Sequence, residues 1–104
     1  MSTAIKSREL TDHELDRVAQ QFRLLGEPMR LKILQVICRE PLTVNEIVES
    51  TGANQSNVSK HLSLLASAGI ITRQKDGQFV YYSLTDPMTL KLCELVHGRV
   101  SDKK

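Results

Sequence analysis

Between Thr43 and Leu84 the spacing of apolar residues changes from the three-to-four of a helix to the two of a strand, and this limits the possible folds more than any other feature. Thr43, with Glu46 three residues later, forms a capping box ahead of Ile47 and Val48, and Gly52 closes that short helix. After Asn54-Gln55-Ser56-Asn57, a second helix points Val58, Leu62, Leu65 and Ala66 inward and ends at Gly69, where a left-handed C-terminal residue is expected. Ile70-Ile71-Thr72-Arg73 and Phe79-Val80-Tyr81-Tyr82-Ser83-Leu84 then read as strands, with the hairpin turn at Asp76-Gly77. Two helices joined by a tight turn and followed by a two-stranded ribbon are the result.

The flanks are helical. Thr11 and Glu14 form another capping box, before Leu15, Val18, Phe22 and Leu25 at helical spacing, and Gly26 stops the segment. Pro28 suits a first turn, and Leu31, Ile33, Leu34, Val36, Ile37 and Cys38 cover more than one face of the next helix, so it should be central; Pro41 ends it. Asp86 caps a last helix with Pro87 at its first position, whose Leu90, Leu92, Cys93, Leu95, Val96 and Val100 spread over an arc broad enough to need two partners. The 104 residues suit one domain, mainly α with a two-stranded hairpin, in the order of a winged helix-turn-helix. The expected boundaries are 44–68 for the helix-turn-helix, 70–84 for the wing and 87–100 for a dimerisation helix, with flexible ends at about 1–10 and 101–104.

Hydrophobic residues at 40% and charged residues at 25% exclude wholesale disorder. Residues 1–9 have no apolar run that could serve as a signal peptide, which predicts a cytoplasmic protein with no membrane partner. Cys38 and Cys93 lie too far apart in the chain for a zinc ribbon and are expected as thiols. No enzyme is indicated, because Ser59 and His61 are two apart on a helix and point away from each other. No cofactor is implied. Residues 1–53 hold seven basic against eight acidic residues and residues 54–104 seven against four, so a basic surface belongs to the second half.

A helix that enters the major groove needs short polar side chains near its N-terminus and apolar residues behind them. Gln55, Ser56, Asn57, Ser59 and Lys60 set against Val58, Leu62 and Leu65 meet both demands. Gln and Asn can bond adenine through two atoms, Ser can bond base edges or phosphate, and Lys60 or His61 can neutralise phosphate. Arg73, Lys75 and Gln78 near the hairpin tip suit a wing over the backbone or minor groove. Double-stranded DNA is the partner these residues point to. A protein-interaction module that uses the same face is the rival reading, and steep salt dependence would separate the two.

The segments Leu25-Gly26-Glu27-Pro28-Met29-Arg30-Leu31-Lys32-Ile33-Leu34, Leu42-Thr43-Val44-Asn45-Glu46-Ile47, Gln55-Ser56-Asn57-Val58-Ser59-Lys60-His61-Leu62 and Leu65-Ala66-Ser67-Ala68-Gly69-Ile70-Ile71, then Arg73 to Leu84, resemble the ArsR/SmtB family of bacterial repressors over roughly Phe22 to Leu95. The resemblance implies a homodimer through the first and last helices, a recognition helix at 55–68, an operator with an imperfect inverted repeat, and an inducer that weakens binding.

It also supplies positions to inspect for that inducer. The family's thiolate site falls on Leu42 to Ile47, where there is no cysteine. At its other site Asp86 is in place, but Met88 stands at the His position and Arg99 and Asp102 at the later ones; Arg99 cannot hold a cation. An irregular metal set from Cys93, Glu94 and His97 stays open, although no regular metal site is expected. Cys38 and Cys93 fall on two helices that pack together in this family, so oxidation or persulfidation of the pair is the best guess for a named inducer, beside the equally weighted reading of two small core residues with another small molecule as inducer. On the former, an oxidant or a reactive sulfur species would be the inducer.

Overall fold

The computed structural model describes residues 9–101. The elements run α1 (Asp12–Leu25), α2 (Pro28–Ile37), α3 (Val44–Thr51), α4 (Gln55–Ser67), β1 (Ile71–Asp76), β2 (Phe79–Leu84) and α5 (Pro87–Ser101). The expected flexible ends fall mostly on residues 1–8 and 102–104, outside the described residues. Among the described residues, no helix is long and apolar enough to cross a membrane.

Local chemistry accounts for the helix ends. Both capping boxes close: Thr11 Oγ1 accepts from Glu14 N at 3.1 Å while Glu14 Oε1 accepts from Thr11 N at 2.9 Å, and Thr43 pairs with Glu46 at 3.2 and 2.9 Å. Asn54 Oδ1 accepts from Asn57 N at 2.8 Å, which fixes the start of α4. At the other end of α4, Gly69 has φ +78°, Gly69 N–H donates to Ala66 O, and Ile70 N–H donates to Leu65 O, both at 3.0 Å. This is a Schellman closure, and it turns Ile70 back into the core.

Ile33, Leu34 and Ile37 of α2, Ile47 of α3, Val58, Leu62 and Leu65 of α4, and Ile70 and Ile71 form the buried core. As its apolar breadth predicts, α2 is central, touching α1, α3, α4 and β2. Removing Leu62 down to Ala would cost about 2–5 kcal/mol, since its side chain is fully buried.

The hairpin corrects the expected turn. β1 runs on through Asp76, which pairs with Phe79, so Gly77-Gln78 form the two-residue turn and Asp76 belongs to the ladder. Gly77 has φ +68° and, among the described residues, no non-glycine residue has positive φ, the pattern of a II′ turn with glycine first. The register also separates the two tyrosines: Tyr82 packs on the core, whereas Tyr81 meets Phe79 with ring centroids 6.5 Å apart. Ile70 O accepts from Thr85 N and Asp86 N, each at 3.2 Å, so the start of α5 hangs from the base of the wing.

Candidate nucleic-acid interface

The N-terminal half of α4 divides cleanly by exposure. Gln55, Ser56, Asn57, Ser59 and Lys60 are exposed, whereas Val58, Leu62 and Leu65 are buried, as a helix of 3.6 residues per turn allows. Short polar groups therefore stand on a rigid apolar footing. The turn that presents them is fixed too: Thr51 Oγ1 donates to Ile47 O at 2.8 Å and accepts from Ala53 N at 3.3 Å, and Lys32 Nζ donates to Thr51 O at 3.2 Å. Thr51 and Lys32 are contributors that the pattern reading passed over.

His61 does not stand with the exposed group. It is 8% exposed, its Nδ1 accepts from Arg30 Nε at 3.1 Å, and its Nε2 lies 3.9 Å from Glu27 Oε1. Its expected contact with phosphate gives way to an inward contact between helices. Position 61 is three residues after Val58 and four before Leu65, so it shares their buried face.

On the wing, Arg73, Lys75 and Gln78 are all exposed. Arg73 and Lys75 are two apart on β1 and so share one face, and the Arg73 guanidinium carbon sits 6.0 Å from the centre of the Tyr82 ring. That aromatic contact holds a cation beside the hairpin while leaving it open to solvent. α4 and β1 also touch directly.

The thiols lie elsewhere. Cys38, exposed at the C-cap of α2, donates through Sγ to Gln35 O at 3.2 Å; Cys93 is half-buried on α5. Burial raises the Cys93 thiol above its ordinary range, and the nearby charge of Cys38 raises it further. Asp86 accepts from Thr89 N at 3.2 Å and from the Thr89 hydroxyl, so it caps α5. Among the described residues, no three of His, Cys, Asp and Glu gather as a metal ion would need, and Cys93, Glu94 and His97 are not brought together as such a set.

Two exposed apolar surfaces complete the description. α1 has no buried residue and shows Leu15, Val18 and Phe22 to solvent, the last 60% exposed. α5 exposes Met88, Leu95, Val96 and Val100, each above half.

Residues 27–73 match the bacterial regulatory proteins described as the arsR family. A probable mercury resistance operon repressor of Streptomyces lividans is 40% identical over 87 residues, 84% of this chain and 70% of that protein. The AntR antimony-specific transcriptional repressor superposes with a TM-score of 0.82 at 26% identity, over 99% of this chain and 95% of that one. The homodimeric winged helix-turn-helix domain of Mb0332 from Mycobacterium bovis, a possible ArsR-family regulator, does so at 0.77 and 26%, over 91% of each. With its helix order, its exposed α4 and its wing accounted for, the chain belongs to the ArsR family of bacterial regulatory proteins, which are transcriptional regulators and not enzymes.

Proposed function

We propose that this chain is a homodimeric, DNA-binding transcriptional repressor that places α4 in the major groove and is released from its operator by chemistry at Cys38 and Cys93. The observation that carries the DNA reading is the run of exposed Gln55, Ser56, Asn57, Ser59 and Lys60 on a helix footed on fully buried Val58, Leu62 and Leu65. Arg73, Lys75 and Gln78 extend the same chemistry onto the wing, where phosphate or the minor groove would lie. Exposed Leu15, Val18 and Phe22 on α1, with Leu95, Val96 and Val100 on α5, favour pairing with a second copy. Two copies would set their α4 helices about 34 Å apart, one turn of duplex, on an imperfect inverted repeat.

The thiol reading is supported by accessibility, since Cys38 is exposed at the C-cap of α2 and Cys93 is only half-buried on α5, both as free thiols. Peroxide would take two electrons and two protons from the two thiols, forming the S–S bond and two waters. With a polysulfide, each thiol would instead attack an S–S bond and displace hydrogen sulfide, and the two persulfides would join with loss of one more hydrogen sulfide, leaving sulfur between the cysteines and relaxing the distance a direct bond requires. A second reading has its own support, since two similar proteins are named for mercury resistance and for antimony specificity, and thiolates are ligands for soft elements of this kind.

The test is fluorescence anisotropy on duplex from upstream of the chain's own gene, with the protein reduced and then exposed to peroxide, polysulfide, Hg(II) or antimonite. Release by one of these that Cys38→Ser and Cys93→Ser abolish identifies the inducer class. Tight binding that ignores all four leaves exposed Cys38 and half-buried Cys93 without a sensing role.

A further inference from the structure

Arg30 sits in the first turn of α2, yet its guanidinium turns inward and reaches two other helices. Nε donates to His61 Nδ1 on α4 at 3.1 Å, and Nη1 donates to Leu24 O in the last turn of α1, also at 3.1 Å. Glu27, the N-cap of α2, accepts from Arg30 N at 3.1 Å and brings the same Oε1 to 3.9 Å from His61 Nε2. Among the described residues, Arg30 and Glu27 are the charged groups that face the imidazole. Because Nδ1 accepts from an arginine it carries no proton, so the ring N–H is on Nε2, facing Glu27. One buried imidazole is thus hydrogen-bonded at Nδ1 from α2, with the Glu27 carboxylate 3.9 Å from its Nε2, and through Arg30 it is tied to the end of α1.

The position of His61 gives this contact its consequence. It follows Ser59 and Lys60 directly and lies one turn beyond Asn57, so any roll of α4 about its axis moves the exposed side chains and the His61 ring together. Val58, Leu62 and Leu65 set which face of the helix is buried by apolar contact, which is non-directional and so specifies the fine rotation less sharply than a hydrogen bond does. The bond from Arg30 is directional and specifies it strongly.

We propose that Arg30 and His61 are positioning residues for DNA recognition: their guanidinium–imidazole bond sets the rotation at which Gln55 to Lys60 meet the base edges, and neither residue touches DNA. This rests on the DNA-binding reading. The bond also connects α1, which carries the exposed Leu15-Val18-Phe22 face, to the helix that reads sequence.

The experiment compares affinity for a duplex selected in vitro by the wild-type chain with affinity for a random duplex, both measured by anisotropy. His61→Leu and Arg30→Met should each lower the ratio of selected to random binding about tenfold, the scale of one base contact, with random binding unchanged. His61→Asn, whose Oδ1 takes the place of Nδ1 as an acceptor, should restore the ratio to within about threefold of wild type. An unchanged ratio in folded His61→Leu, or no recovery in His61→Asn, overturns the proposal. Should His61→Leu fail to fold, the imidazole ¹⁵N spectrum of the wild-type protein decides: a proton on Nε2 with a hydrogen-bonded Nδ1 supports the bond, and a proton on Nδ1 overturns it. A wild-type chain that selects no duplex removes the DNA reading and this proposal together, whereas selection with indifferent variants removes only the proposal.

Discussion

Leu42 and Tyr82 exchange two backbone hydrogen bonds, Leu42 N to Tyr82 O at 3.1 Å and Tyr82 N to Leu42 O at 2.8 Å, and so fasten the chain entering α3 to the second strand of the wing. The pair is an isolated antiparallel bridge, and it sets the wing and the helix-turn-helix against each other independently of side-chain packing. Leu42→Pro removes one donor and should lower stability by about 1–3 kcal/mol, measured by urea unfolding. Hydrogen exchange should show Tyr82 N–H losing protection along with the loss of stability. Wild-type stability in Leu42→Pro would show that the bridge contributes nothing.

The apolar faces of α1 and α5 predict an assembly. Phe22 and Leu95 are 60% and 66% exposed, an unusual display for two large side chains on helices of one small domain. Phe22→Glu or Leu95→Glu should shift sedimentation toward the monomer and weaken DNA binding at least tenfold, because half of the phosphate contacts are lost. Unchanged sedimentation would place the dimer surface elsewhere.

The thiols should differ in reactivity and in their effect on stability. Cys38 is exposed and Cys93 half-buried with its thiol raised, so limited alkylation followed by mass mapping should label Cys38 first. A raised value in the folded state means that the folded protein holds this proton more tightly than the unfolded one. The stability of the wild-type chain therefore falls as pH rises through and above the ordinary cysteine range, and Cys93→Ser should flatten that fall. Faster labelling of Cys93, or an identical alkaline profile in Cys93→Ser, would contradict this.

Base readout and phosphate contact separate by substitution. Gln55→Ala or Ser59→Ala should cost about 1–3 kcal/mol on a selected duplex and little on random DNA. Lys75→Ala should weaken both equally and reduce the salt dependence. Equal loss on both duplexes for Gln55→Ala would remove it from base readout.

Much of this fold was legible because its punctuation is local. The capping boxes Thr11/Glu14 and Thr43/Glu46 and the Gly69 closure each act within a few residues, and each forms as its spacing predicts. The turn was displaced by one residue because Asp-Gly is a type I′ signal, whereas this hairpin puts glycine first in a II′ turn. What escaped the sequence acts at long range. The partners in the Arg30–His61 bond are 31 positions apart, and the Leu42–Tyr82 bridge joins two segments with no shared pattern. His61 was misplaced because a histidine beside Lys60 suits a phosphate contact by composition, while helical phase alone would have set it with Val58 and Leu65. The broad apolar arc of α5 was visible, but its partner is not within this chain's core cluster.

The most direct test of the central claim is a salt titration of anisotropy with the reduced protein on selected and random duplexes. The account predicts that the selected duplex binds at least a thousandfold more tightly, and that log affinity falls linearly with log salt on both, more gently for Lys75→Ala. Binding that ignores salt, or that does not distinguish the two duplexes, would contradict a sequence-reading repressor and leave the exposed face of α4 to a protein partner.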